Sequence, residues 1–395
     1  MRQLRGVSRL RLLLIRSLVW VSVGGAAISA SAAFSSIYIF GDSVSSTTTN
    51  NAEGTSLTND YYGKRYCNGR TWVEVLAQRQ GLGTNSIVTN TWVYSSNNLS
   101  FYGQYSPILV TNVSKFTAPA NASNCLFVVW VGDADFVGDV SDPNVGALGG
   151  KFSNGTNQLV WTTNISLHLT NHFKAITNLY AKGMRTLVAP NVANIMLVPQ
   201  YNQSFGPYKS FVRQQIINFN TNFVTMTRQI EAVSPGLKIV VPDMFSILEA
   251  AVTNAASYGL TNAVVDGEPI DAIDATGYNL LANADPNGPG TNYIFWDEAS
   301  PSARLSELFA DVAQQALSPV NLAGMAQVNT SNRVDITNMP VGLSGIVLYA
   351  TNLTQAVWLT NSTFSSLTLT QSVFVNPTNS QRFYTLKFPY AWTWP

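Results

Sequence analysis

The chain has little charge and almost no histidine. Only 11% of its residues are charged, against about a quarter in an average soluble domain. Asn, Thr and Ser fill the gap, which suits a polar but non-ionic exported surface. Basic and acidic residues nearly cancel, 22 Lys and Arg against 21 Asp and Glu. That balance gives no electrostatic case for nucleic acid or anionic lipid as a partner. There are two cysteines, Cys67 and Cys125, and neither has metal-ligand spacing. With two histidines in all, His168 and His172, chemistry that needs imidazole has few places to be. They sit at i, i+4, one face of a helix, but the glutamate of a zinc-protease helix is absent and no third ligand is evident. We therefore expect no metal and no cofactor.

Long apolar runs are missing too. Leu18–Ile28 is too short and too rich in small residues for a good membrane span. It follows five arginines (Arg2, Arg5, Arg9, Arg11 and Arg16) and precedes Ala30-Ser31-Ala32, the pattern of an export signal with an A-x-A cleavage site. Residues 1–32 are read as that signal, with no membrane-spanning segment once it is removed. The expected location is secreted, periplasmic or at the cell surface.

What is present is alternation. Short apolar runs at Ser36–Phe40, Leu126–Val131, Arg185–Ala189 and Lys238–Val241 read as strands. Helical patterns lie between and after them. Asn164–Ala181 opens on a capping Asn, Tyr208–Ala232 stops at Ser234-Pro235-Gly236, and Ser302–Leu317 follows Pro301, a good first helical residue. The pattern predicts a three-layer α/β domain over residues 33–319, its mainly parallel sheet covered on both faces. Ligands of such sheets bind outside the carboxyl ends of the strands. After about Val320 the helical pattern stops. Val341–Ala350, Ala356–Leu359, Ser365–Leu369 and Arg382–Phe388 predict a small all-β module over 320–395.

Chemistry is sought in the turns after strands. The first reads Gly41-Asp42-Ser43, which puts a hydroxyl where backbone N–H groups converge. The same three residue types suit any turn, so the motif alone is weak. Three further blocks strengthen it. Tyr61–Gln78 reads YYGKRYCNGRTWVEVLAQ, Val128–Phe136 reads VVWVGDADF and Tyr293–Ala303 reads YIFWDEASPSA.

With IYIFGDSVS at Ile37–Ser45, these blocks resemble, in order and spacing, the four motif blocks of the GDSL (SGNH) esterase and lipase family, in its plant-type branch. The resemblance spans about 36–317 and implies a flavodoxin-like three-layer fold and hydrolysis of a carboxylic ester. By position it implies that Ser43 is the nucleophile and that its N–H serves the oxyanion hole. Gly69 would give a second backbone donor, and Asp297 would orient a histidine. Two positions depart from the pattern. Ala134 stands where the third block, G-x-N-D, has the oxyanion-hole asparagine, and Ser300 stands where F-W-D-x-x-H-P has the catalytic histidine.

The losses differ in weight. One missing oxyanion donor costs about 100- to 1000-fold in turnover. A missing base leaves serine a very poor nucleophile near neutral pH. His168 is the candidate substitute, and Asp133, Asp135 and Glu298 are nearby carboxylates. Two functions stay open. One is an impaired ester hydrolase acting on a small-molecule, lipid or glycan ester. The other is a non-catalytic relative that binds glycan or lipid in the former cleft. The β module suggests cell-surface or polysaccharide contact. Tyr61, Tyr62, Tyr66 and Trp72 are read mainly as loop packing. Cys67 and Cys125 are expected at opposite ends of the sheet and unpaired.

Overall fold

The computed structural model describes residues 34–47, 61–62, 65–83, 92–140, 155–202, 204, 206–260, 264–265, 268–269, 292–297, 299–354, 357–375, 382–389 and 392–394. The export signal expected at 1–32 lies outside the described residues, and so does Glu298. Among the described residues, no helix is long and apolar enough to cross a membrane.

The first strand is β1 (Ile37–Gly41), followed by α1 (Trp72–Arg79) and α2 (Ser106–Lys115). Then come β2 (Leu126–Trp130), α3 (Gly132–Val140), α4 (Gln158–Ala181) and β3 (Thr186–Val188). α5 (Pro199–Asn202), α6 (Gly206–Val233), β4 (Lys238–Val240) and α7 (Met244–Thr253) complete the sheet's connections. A two-stranded ribbon, β5 (Val264–Val265) with β6 (Glu268–Pro269), and the helix α8 (Ala303–Leu317) follow.

The four long-range strands pair in parallel in the order β1-β2-β3-β4. A fifth position is filled by the extended stretch 98–101. Ile39 bridges Asn98 in parallel, Leu99 N–H donates to Ile39 O at 2.8 Å and Phe101 N–H donates to Gly41 O at 3.2 Å. Counting that stretch as the second in chain order gives 2-1-3-4-5, the flavodoxin-like arrangement. Its order reverses between β1 and β2, where ligands of open α/β sheets bind.

Alternation along β2 explains the layers. Phe127, Val129 and Val131 join one core with residues of α2, α4 and α6, such as Val113, Ile176 and Ile216. Leu126, Val128 and Trp130 join the opposite core with α1, α7 and α8, through residues such as Trp72, Leu248 and Leu305. Every residue of β2 is buried, so the strand needs apolar side chains on both faces.

Two helix boundaries differ from the sequence expectation. α4 begins at Gln158, and its cap is Asn157, whose Oδ1 accepts from Leu159 N at 3.1 Å. Asn164 lies within the helix and turns inward, its Nδ2 donating to Asp139 Oδ1 at 2.8 Å. Over 158–163 the apolar pattern does not follow burial, since Leu159 is exposed while Trp161 is buried, and this hid the first turns of the helix. α8 is capped by the Ser302 hydroxyl, which accepts from Leu305 N at 3.2 Å; Pro301 precedes the cap and pairs with Phe295 instead.

After α8 the chain is all β. β7 (Asn321–Val328), β8 (Ser331–Thr337), β9 (Ser344–Ala350), β10 (Leu359–Ser365), β11 (Thr370–Val375), β12 (Phe383–Phe388) and β13 (Trp392–Trp394) form two antiparallel sheets, ordered β10-β9-β12-β13 and β11-β8-β7. Val334, Ile336, Val347, Phe364, Leu386 and Phe388 pack together there. The strands expected at Ala356–Leu359 and Ser365–Leu369 are out of phase with β10 and β11. β10 reads LTNSTFS and buries only Phe364, so apolar content does not mark it. The join to the α/β body is polar and specific. Arg79, at the end of α1, exchanges backbone and side-chain bonds with Val341 at 3.2 Å and pairs with Asp311 of α8 at 2.8 Å.

Candidate functional site

β1 ends in a turn held from several sides. Asp42 N–H donates to Trp130 O at 3.2 Å, continuing the ladder one residue past β1. The Asp42 carboxylate then caps a single 3₁₀ turn, Ser43–Ser45, by accepting from Val44 N at 3.0 Å. Trp72 Nε1 donates to Ser45 Oγ at 2.9 Å, Gln104 Nε2 to Gly41 O at 2.9 Å and Asn98 Nδ2 to Ser45 O at 2.8 Å. Position 41 must be glycine, because a Cβ there would lie 2.6 Å from Ser45 Cβ. The outcome is a half-buried Ser43 on a turn that cannot easily move. Burial raises the Asp42 carboxyl to about 7, against the N–H groups of Val44 and Ala134 that favour its ionised form, with a smaller upward push from Asp135.

The second block is mostly scaffolding. Arg65 Nε and Nη2 donate to Glu74 at 2.7 and 2.5 Å, with both side chains fully buried. Glu74 also accepts from Thr71 N at 2.8 Å, fixing the start of α1. Asn68 Oδ1 accepts from Ala303 N at 2.8 Å, which ties the loop to the first turn of α8. A Cβ on Gly69 would come 2.6 Å from Ala303 Cβ, so an alanine does not fit without displacing that turn. Trp72 is core, edge-on to Trp130, and Tyr66 stacks near Tyr102. Cys67 and Cys125 are both buried and unpaired; burial pushes the Cys67 thiol up to about 12.

The last block forms a tight loop closed on Asp297. Trp296 N–H donates to Ser300 O at 2.8 Å and Ser302 N–H to Ile294 O at 3.0 Å. Asp297 Oδ1 accepts from Ala299 N at 2.9 Å and Ser300 N at 2.6 Å, while Oδ2 accepts from Tyr61 OH at 3.1 Å. Burial raises the Asp297 carboxyl, opposed by these donors and by the Ser300 hydroxyl. Ser300 itself is buried. The carboxylate that would orient a histidine is here occupied by its own loop and by Tyr61.

The third block opens α3 directly after β2. Asp133 Oδ1 accepts from Ala193 N at 2.9 Å, and Asp135 Oδ1 accepts from Ser106 N at 2.8 Å. The histidines lie behind this helix. His168 Nε2 is 3.1 Å from Asp139 Oδ2, and its Nδ1 is 3.4 Å from both Asp135 Oδ1 and Ser106 Oγ. Burial alone would lower its pKa, but Asp135 and Asp139 outweigh that and raise it. His172 donates from Nδ1 to His168 O at 2.9 Å, and burial lowers its pKa. Both are buried. His168 has both ring nitrogens committed to α3 and the start of α2, and it is not among the residues lining the cleft at Ser43. Because α4 starts at Gln158, His168 sits about 15 Å along the helix from its N-terminus.

That cleft, about 250 Å³, opens between the ends of β1 and β2. Its wall carries Ser43 and Ala134, and Ala299 and Pro301 on either side of Ser300. Gly69, Asp297 and Ser300 are not on the wall. Tyr102, Trp130, Val198, Phe295, Leu305 and Phe309 make most of the rest apolar, the usual character of a small-molecule site. The stretch 193–201, which supplies one side, was not legible in advance because it carries no motif and only two short helical segments. Asp42 and Asp133 are the charged residues among the described lining. No group of three or more His, Cys, Asp or Glu positioned to hold a metal occurs among the described residues.

No protein-family model matches the chain. Among curated proteins it is similar to a GDSL esterase/lipase of Arabidopsis thaliana, 23% identical over 339 residues, which covers 74% of this chain and 86% of that relative. It is also similar to the GDSL esterase/lipase APG of Arabidopsis thaliana, 22% identical over 324 residues, covering 69% and 88%. Among solved structures, a GDSL-like lipase of Bacteroides thetaiotaomicron is 12% identical, covers 71% of this chain and 87% of that one, and gives a TM-score of 0.32.

Proposed function

The chain belongs to the GDSL/SGNH hydrolase family, and we propose that it is an esterase-type hydrolase acting at Ser43 on carboxylic esters with an apolar group, slowed by the loss of two catalytic side chains. The observation that carries this reading is the cleft itself. It brings Ser43, on a rigid turn after β1, together with a mostly apolar wall wide enough for an acyl or alkyl chain. In the attack, Ser43 Oγ would add to the ester carbonyl, with the Ser43 N–H serving the oxyanion; Gly69, the second donor by family position, lies off the cleft wall. Ala134 offers no side-chain donor, and Ser300 has no useful basicity near neutral pH. A residual advantage of about 1000- to 10,000-fold over water is what binding and the surviving donors retain in a triad without its base.

The test is turnover of 4-nitrophenyl butyrate by purified protein beside Ser43→Ala. Slow turnover that falls to the solution background in the variant is expected. A rate unchanged by the substitution would remove Ser43 as nucleophile.

A second reading is a non-catalytic relative that holds lipid or glycan in the same cleft. It is favoured by the loop at Asp297, whose carboxylate is already satisfied without any histidine. Wild-type protein that binds an alkyl ligand yet never exceeds the solution rate would select it. Export with removal of residues 1–32, and contact with a cell surface or polysaccharide through 320–395, belong to the same proposal. N-terminal sequencing of the exported protein is expected to begin within a few residues of Ala33; an intact Met1 in the membrane fraction would contradict export by cleavage.

A further inference from the structure

We propose that Asp133 is the group that takes the Ser43 proton in this cleft, in place of the base that position 300 lacks; the proposal rests on the hydrolase reading above. Placement comes first. β1 and β2 are parallel neighbours with Gly41 opposite Trp130, and such strands run about 4.8 Å apart. Ser43 is two residues beyond Gly41 and Asp133 three beyond Trp130, so both leave the sheet at one edge. The Asp42 carboxylate links the two turns, accepting from Val44 N–H on one side and Ala134 N–H on the other. Ser43 and Asp133 both line the same cleft.

Asp133 is also held and tuned for the role. Ala193 N–H fixes one of its oxygens at 2.9 Å. Burial pushes its carboxyl well above the ordinary value, Asp42 pushes it further, and Ala193 N–H and the Trp130 indole beside it act in the other direction. An aspartate in water is too weak a base for this work; raising its pKa toward the working pH makes it a useful one. The titratable groups that line the cleft with it are Asp42 from the turn after β1, which acts on it directly, Tyr102 and Tyr105 before α2, and Tyr201 from α5. Among the described residues lining the cleft there is no lysine, arginine or histidine to suppress its basicity. Asp42 is the other carboxylate, but it is buried and spent on capping both turns.

The chemistry balances with no added reagent. Ser43 Oγ forms a bond to the ester carbonyl carbon as its proton passes to the Asp133 carboxylate. The tetrahedral intermediate collapses, the bond to the alcohol oxygen breaks, and the alkoxide recovers the proton from the Asp133 carboxylic acid. Water then attacks the acyl-serine, giving its proton to Asp133, which returns one to Ser43 as the carboxylic acid product leaves. The active form is the ionised carboxylate, so activity falls as pH drops through its raised pKa.

The experiment is kcat/KM for 4-nitrophenyl butyrate between pH 4 and 9, on the full exported chain, for wild type, Ser43→Ala, Asp133→Asn and Asp133→Glu, with thermal melting of each. Asp133→Asn is expected to lose at least about 100-fold, the contribution of a positioned base. Asp133→Glu is expected to keep part of the activity with a displaced acid limb, which a merely structural role would not produce. No Ser43-dependent turnover in wild type overturns both this inference and the hydrolase reading. Ser43-dependent turnover that survives Asp133→Asn, or keeps its acid limb in Asp133→Glu, overturns the inference alone.

Discussion

Arg65→Ala is expected to destabilise the protein by about 3–5 kcal/mol, the cost of removing one partner from a buried ion pair. The guanidinium and the Glu74 carboxylate are both fully buried, with two nitrogen–oxygen contacts at 2.7 and 2.5 Å. Arg65 Nη1 also donates to Tyr62 O at 3.3 Å, and the guanidinium lies 4.8 Å from the Tyr62 ring centre. Alanine removes the cation and takes from the buried Glu74 carboxylate its two-point partner, while the Thr71 N–H and hydroxyl still donate to it. Lysine is not a remedy, since it cannot reproduce the two-point geometry. A paired Arg65→Met, Glu74→Leu variant is expected to recover much of the loss, because replacing both charges avoids the orphaned one. The measurement is thermal unfolding by circular dichroism, where the single variant should melt roughly 5–8 °C lower. A shift of under about 2 °C would mean that the pair contributes nothing to holding the second block. The loop it holds carries Asn68 and Gly69 against α8, so a fall in Ser43-dependent turnover should accompany the loss of stability.

This pair also shows what the sequence could and could not reveal. The four strands of the main sheet were legible because they are mostly buried on both faces and therefore mostly apolar, with Thr186 and Lys238 at the starts of β3 and β4 as exceptions. Their ends fell within a residue or two of the observed ones. The parallel stretch at 98–101 was not legible, because Asn98 and Ser100 are polar yet buried, and the bonds that hold Asn98 to Ser45 O and to the Ser100 N–H are not announced by pattern alone. β7 was missed for a related reason, since its residues are largely exposed and show no apolar alternation. At the site, block order pointed to Ser43, Gly69, Ala134, Asp297 and Ser300 as positions. It could not say that Asp297 is closed on its own loop, or that His168 is bound to Asp135 and Asp139 behind α3. Those facts depend on which side chains meet in space, whatever their separation in sequence: His168 and Asp139 are 29 residues apart. Tyr61 and Asp297, in hydrogen-bond contact, are 236 residues apart. The arginine and glutamate of the second block, by contrast, are nine apart and were visible as part of a motif, but without a reason.

Ser300→His, alone and with Ala134→Asn, is expected to give the largest change in rate. The single substitution should raise kcat/KM on 4-nitrophenyl butyrate by about 100-fold, the low end of what a positioned general base contributes. The second should add up to about 100-fold through a restored oxyanion donor. Position 300 lies between Ala299 and Pro301, which both line the cleft, and beside the Asp297 carboxylate that would accept the imidazole Nδ1–H. Two costs act against the gain. The imidazole must displace the Ser300 hydroxyl from Asp297 in a buried loop, and Tyr61 already holds the second oxygen. Tyr61→Phe frees that oxygen, so adding it should raise the rate again if competition for Asp297 limits the repaired triad. The pH profile separates the two bases. A histidine pathway brings an acid limb near the ordinary imidazole value of about 6.5 or above, since Asp297 favours the imidazolium. The pathway through Asp133 keeps its own limb and is still lost in Asp133→Asn. If the double variant gains nothing while Ser43→Ala still abolishes the wild-type rate, the cleft has drifted from triad geometry, where an error of about 1 Å can cost a hundredfold. If neither the wild type nor the double variant turns over ester, the silent binding protein is the correct description of this cleft.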